Sequence, residues 1–145
     1  MAQTKKTVLK QLLSGMILCG FIFSILPAAD LAPFTDLTPM QAAAMIAEKS
    51  VDPLFKIIDV RTAEEFASNR IQGALNIGVK GADFKEKIAK LDRNGIYLAY
   101  CKGGVRSARA VNLMKELGFV RVYNLAGGLK KWQAEKQPME GAAVK

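Results

Sequence analysis

Apolar runs with β-branched residues alternate along the chain with stretches whose apolar positions recur at helical spacing. Two runs, Phe55-Lys56-Ile57-Ile58-Asp59-Val60 and Ile96-Tyr97-Leu98-Ala99-Tyr100, have the near-continuous apolar character of strands buried on both faces. Val120-Arg121-Val122-Tyr123 predicts a further strand, and residues 73–77 a short extended piece. Thr38, Pro39 and Gln41 open a first helix with a capping box and proline at its first position, and Asp52-Pro53 ends it. Thr62 and Glu65 form a second capping box, starting a short helix to Asn69. A third helix spans residues 83–91, with Phe84, Ile88 and Leu91 on one face. A fourth follows Arg106 and stops at Gly118, and a fifth runs from Leu129 to Lys136, opened by Gly127-Gly128 and carrying Trp132 as a core residue. Residues 30–37 read as a linker and residues from Pro138 onward as a tail. Strands alternating with helices predict an α/β fold with a mostly parallel central sheet. Ligands of such sheets bind beyond the carboxyl ends of the strands, where Cys101 and the segment from Asp59 to Arg61 fall.

The first 32 residues have a different pattern. Lys5, Lys6 and Lys10 form a positive head, and no charge follows from Gln11 to Ala29. Charged head, apolar centre and small residues make an export signal. Residues 11–29 also approach the roughly 20 apolar residues that span a bilayer. The segment is thus either a cleaved signal or an amino-terminal anchor, with the domain periplasmic or otherwise extracytoplasmic. The expected division is residues 1–32 for export or anchoring, 33–137 for the domain and 138–145 for the tail.

Composition narrows the function classes. The chain has 145 residues, half of them hydrophobic, which suits one domain with one core. No internal repeat or low-complexity segment occurs. The net charge of +8 includes the three amino-terminal lysines. The other cations, among them Arg93, Arg109, Arg121 and Lys131, are scattered without interleaved aromatics, so the pattern does not suit nucleic acid and at most steers small anions. The chain has no histidine and only two cysteines, one of which, Cys19, lies in the export segment. Cys101 therefore has no disulfide partner inside an exported domain.

Cys101 is also where the chemistry concentrates. It stands between a strand and a helix on Cys101-Lys102-Gly103-Gly104-Val105-Arg106-Ser107. Such a turn offers several backbone N–H groups to one anion, and the following helix adds partial positive charge, so the thiol is expected to ionise readily. The glycines argue against full burial of the thiol. Asp59 and Arg61 are expected to pair with each other or cap nearby backbone rather than touch substrate. Gly127-Gly128 lacks the further glycine and lysine of a phosphate loop and reads as a turn.

Four segments in order resemble the rhodanese family over residues from about 37 to 132. They are Ile58-Asp59-Val60-Arg61-Thr62 with Glu64-Glu65-Phe66; Ile71-Gln72-Gly73-Ala74-Leu75-Asn76-Ile77; the loop from Cys101 to Ser107; and Gly118-Phe119 followed by Val122-Tyr123-Asn124-Leu125-Ala126-Gly127-Gly128 and Trp132. The resemblance implies a rhodanese-like α/β fold, with helices on both faces of the sheet. It implies sulfur transfer: Cys101 takes a sulfane sulfur from a donor such as thiosulfate, becomes a persulfide, and hands it to cyanide or a thiol. By the same resemblance Cys101 is the nucleophile, and Lys102, Gly103, Gly104, Val105 and Arg106 form the substrate cradle. Neither a metal nor a cofactor enters this expectation. A sulfur carrier that serves a partner protein, with little turnover of its own, is the alternative. Phosphatases and arsenate reductases of the same fold have a loop one residue longer, so four residues between Cys101 and Arg106 favour sulfur over phosphate. Where the family often has a histidine before the second motif, this chain has Arg70, read as a surface change that leaves thiolate chemistry intact.

Overall fold

In a computed structural model of the protein, which describes residues 31–141, five parallel strands form one sheet in the order β1-β6-β5-β2-β4. They are β1 (Asp36–Leu37), β2 (Phe55–Asp59), β4 (Leu75–Asn76), β5 (Ile96–Tyr100) and β6 (Arg121–Leu125). The helices are α1 (Pro39–Lys49), α2 (Ala63–Ser68), α3 (Phe84–Ala89), α4 (Val105–Glu116) and α5 (Gly128–Ala134). A second, two-stranded sheet pairs β3 (Asn69–Arg70) antiparallel with β7 (Glu140–Gly141). The export segment lies outside the described residues, among which no helix is long and apolar enough to cross a membrane.

The period of two along each strand decides which residues meet which helices. On β5, Ile96, Leu98 and Tyr100 join a core with Ala42 and Met45 of α1 and Leu129 and Trp132 of α5. Tyr97, Ala99 and, just past the strand, Cys101 join the opposite core, with Phe84 and Ile88 of α3 and Ala110, Val111 and Met114 of α4. Helices therefore cover both faces. Each fully buried large side chain contributes about 1.5–3 kcal/mol. The alternation consequently puts the Cys101 side chain beneath α4.

Local signals set the helix ends. Both capping boxes form: Thr38 and Gln41 exchange hydrogen bonds at the start of α1, and Thr62 and Glu65 do so at the start of α2. After α4, the N–H of Gly118 donates to the Lys115 carbonyl and that of Phe119 to the Met114 carbonyl, a Schellman ending. The third helix is shorter than residues 83–91. Asp83 makes no cap and instead pairs with Lys87 at 2.8 Å.

Two segments depart from the sequence reading. Residues 36–37 of the expected linker are a strand, in parallel register with Asn124 and Leu125. The expected tail is held as far as Gly141: Trp132 Nε1 donates to the Pro138 carbonyl at 2.9 Å, and Arg70 pairs with Glu140 at 2.5 Å. Arg70, read as a surface change, does lie at the surface, where it also pairs with Glu140 across the β3–β7 ladder. Both strands are two residues long, too short to show a period.

The order of the sheet locates a crevice. From β2 the chain moves outward to β4, and from β5 it moves the other way to β6. The connections diverge at the carboxyl ends of β2 and β5, the point where such sheets bind ligands.

Candidate active site

Asp59 ends β2 with no exposed surface, and Arg61 follows it at 4% exposure. Two buried charges persist only with full pairing. The Arg61 guanidinium meets the Asp59 carboxylate with its closest contact at 2.6 Å, and it also donates to the Asn69 carbonyl and to Asn69 Oδ1. Burial works against the Arg61 charge, but Asp59 outweighs it and the pKa is raised. The Arg61 guanidinium carbon lies 5.7 Å from the centre of the Tyr100 ring, and the Tyr100 hydroxyl accepts from the N–H of Ile71. This network ties β2, β3 and β5 together beneath the crevice. Asp59 and Arg61 are spent on one another.

The loop after β5 follows from two glycines and two helix starts. Gly104 has φ +94° and forms the N-cap of α4. Gly128, φ +56°, begins α5 so close to the loop that a Cβ there would stand 2.4 Å from the Cys101 carbonyl oxygen and 2.8 Å from the Gly104 nitrogen. The first N–H groups of a helix have no partner within it. In α5 the loop supplies the partners: Leu129 N–H donates to the Cys101 carbonyl at 2.8 Å, and Lys130 N–H to the Lys102 carbonyl at 3.0 Å. A trans peptide directs its N–H opposite to its C=O. With both carbonyls drawn toward α5, the N–H groups of the same two peptides, those of Lys102 and Gly103, point away from α5. Gly104 N–H reaches Cys101 Sγ at 3.1 Å, and the N–H groups of Gly103 and Ser107 act on it too.

Cys101 itself is 1% exposed, which corrects the expectation that the glycines would leave it open. Gly104 and Gly128 serve a close approach of two backbones, while the sulfur itself is buried in the core beneath α4. Burial opposes ionisation of the thiol, yet the Ser107 hydroxyl and the N–H groups of Ser107, Gly103 and Gly104 together outweigh it and hold its pKa below the ordinary value. Ser107, buried on the first turn of α4, was missed in the sequence. Its single hydroxyl proton has two acceptors in reach, the Gly104 carbonyl at 3.0 Å and Cys101 Sγ at 3.5 Å. A neutral thiol leaves the proton on the carbonyl, and a thiolate draws it over. Ser107→Ala is therefore expected to slow alkylation of Cys101 by a small reagent at neutral pH about three- to tenfold, and to move its pH profile upward. An unchanged or lowered profile would show that the hydroxyl does not hold the thiolate.

Arg106 is tied to Glu65 while its charge also acts on the Cys101 thiol. Its two terminal nitrogens donate to the two carboxylate oxygens at 2.8 and 2.9 Å, a bidentate pair. The Arg106 guanidinium holds the Glu65 carboxyl down to about 2, and the Thr62 N–H assists. Glu65 thus caps α2 and anchors the loop at once, a second role the capping box did not reveal. Lys102 and Gly103 are exposed, and the Val105 side chain points outward at 65% exposure. Beside the loop lies a cleft of about 510 Å³ that Lys102 borders. Among the described residues no cluster could hold a metal ion.

A thiolate under converging N–H groups, at the switch point of a parallel sheet, suits attack on an electrophilic atom that leaves an anion in the same cradle. Comparison with known proteins agrees in fold and in family. The family model for the Rhodanese-like domain matches residues 38–135. The chain is 32% identical over 103 residues to the putative sulfurtransferase YtwF of Bacillus subtilis, covering 71% of this chain and 97% of that protein. It is 41% identical over 75 residues to the thiosulfate sulfurtransferase PspE of Escherichia coli, covering 50% and 69%. The crystal structure of the Anabaena protein Alr3790 superposes with a TM-score of 0.62 at 28% identity, covering 74% of this chain and 94% of that one. With a family model that takes in every element from α1 to α5, and relatives that bear the name sulfurtransferase, the chain belongs to the rhodanese-like sulfurtransferase family.

Proposed function

We propose that the protein moves a sulfane sulfur from a thiosulfate-type donor to a thiophilic acceptor through a persulfide on Cys101. The observation that carries the reading is the Cys101 sulfur itself, which accepts from the Gly104 N–H at 3.1 Å and has the Ser107 hydroxyl at 3.5 Å, donors that favour the thiolate. The thiolate attacks the outer sulfur of thiosulfate. The new S–S bond forms as the old one breaks, and sulfite leaves with the electron pair. No proton moves and no external oxidant is consumed. The outer sulfur then carries the negative charge, and hydrogen bonds to charged groups contribute about 1.5–3 kcal/mol each.

Burial of Cys101 suits this chemistry. A bulky phosphoester has no route to a sulfur that is 1% exposed, whereas a terminal sulfur is narrow. Once loaded, the reactive atom stands about 2 Å farther out. The export pattern of residues 1–29 supports placing this reaction outside the inner membrane.

The test is to incubate the protein with thiosulfate, weigh it intact, and then add cyanide. The expected result is a gain of one sulfur atom followed by steady formation of thiocyanate. No gain and no thiocyanate would overturn the reading. A stable gain with negligible turnover would favour the sulfur carrier instead.

A further inference from the structure

The 510 Å³ cleft beside the Cys101 loop falls within the roughly 300–1,000 Å³ of small-molecule sites. An anion as small as thiosulfate occupies only a corner of such a space. Its walls include Arg61, Glu65, Asn69, Lys102, Lys130 and Gln133. Two of these charges are cancelled: Arg61 by Asp59 and Glu65 by Arg106. Lys102 and Lys130 are exposed and form no ion pair among the described residues. The Lys130 N–H bonds the Lys102 carbonyl, so the two side chains are rooted on adjacent backbone at one rim. The cleft therefore presents two uncompensated positive charges, with the amides of Asn69 and Gln133 nearby.

We propose that this cleft is the acceptor subsite and that it takes a small thiol bearing carboxylates, with Lys130 and Lys102 as its specificity-determining residues. The inference rests on the persulfide reading above. The acceptor's thiolate, its proton already released to solvent, attacks the outer sulfur. A new S–S bond forms on the acceptor, the Cys101 S–S bond breaks, and the Cys101 thiolate departs into its N–H cradle. The acceptor carboxylates would lie against the two ammonium groups, and Lys102, which lines the cleft and follows Cys101 directly in the loop, marks the edge at which its sulfur would meet the persulfide. Opposite charges at such a rim steer and orient rather than bind tightly, and the effect weakens with salt.

The experiment loads Cys101 with thiosulfate, removes the excess, and follows unloading by mass with glutathione or with uncharged 2-mercaptoethanol. The ratio of the two second-order rate constants is compared between the native protein and Lys130→Glu. A fall in that ratio of about five- to tenfold is expected, with Lys130→Arg keeping the native ratio. Added salt is expected to lower the ratio in the native protein and to leave that of Lys130→Glu nearly flat or raised. An equal ratio in all three proteins, or equal slowing of both thiols, would overturn the subsite while sulfur transfer stands. Failure of Cys101 to load at all would overturn the sulfur-transfer reading, and the subsite with it.

Discussion

Cys101→Ser is expected to lose sulfur loading altogether, and to lower thiocyanate formation from thiosulfate and cyanide by at least ~10³-fold, while the protein remains folded. The loss follows from the element. A serine hydroxyl does not ionise near neutral pH, and oxygen in place of sulfur offers no persulfide to carry. Retention of the fold follows from the surroundings. The new oxygen can accept from the Gly104 N–H that now reaches Sγ at 3.1 Å, and it is small enough for the site beneath α4. Thermal unfolding should therefore shift by only a few degrees, the equivalent of about 1 kcal/mol for a domain this size. Cys19 is the one other cysteine, so Cys19→Ser provides the control and should load as the native protein does. Residual loading of Cys101→Ser, or loss of loading in Cys19→Ser, would place the acceptor atom elsewhere.

What the sequence made legible is what neighbours in sequence decide. Thr38 with Gln41 and Thr62 with Glu65 announce helix starts because the capping partners lie three residues apart. The alternation from Ile96 to Cys101 assigns each side chain to a face because the period is fixed by the pleat. The rest depends on contacts between distant segments. The strands Asp36–Leu37 and Glu140–Gly141 exist only because Asn124, Leu125, Asn69 and Arg70 offer them a ladder. Glu65 reads as a cap, and nothing within three residues of it tells of Arg106, 41 residues later. Lys130 reads as one of many surface lysines until its N–H is seen to hold the Lys102 carbonyl. The burial of Cys101 was misjudged for the same reason. Glycines near a thiol can open a loop or admit a second backbone: here Gly128 of α5 packs on the loop's peptides, and α4 covers the sulfur from the other side.

Gly128 tests that last point directly, and Gly128→Ala is expected to cost about 2–5 kcal/mol of stability and to lower persulfide formation by about a hundredfold or more. Two effects add. A non-glycine residue in the left-handed region costs about 1–2 kcal/mol, and the φ of Gly128 is +56°. The added methyl must also displace backbone, not a flexible side-chain end: the Cys101 carbonyl oxygen would be 2.4 Å away, with the Gly104 nitrogen and the Lys102 carbonyl carbon each at 2.8 Å. Overpacking of that kind costs about 1–3 kcal/mol. The activity falls more than the stability alone requires, because those same atoms orient the cradle. Pushing α5 away frees the Cys101 and Lys102 carbonyls from the Leu129 and Lys130 N–H groups, and the Gly103 N–H, on the same peptide as the Lys102 carbonyl, then loses its aim at Sγ. Denaturant unfolding gives the stability. The pH profile of Cys101 alkylation gives the cradle, and it should move upward in the folded variant as the thiol loses donors. Gly127→Ala is the comparison, since its Cβ would meet Lys131 side-chain carbons at 2.7 Å and nearer than any loop atom. It should share the backbone strain and leave the thiol profile nearly in place. Equal effects of the two substitutions on that profile would mean that α5 supports the loop only through general stability, not by turning its peptides toward the sulfur.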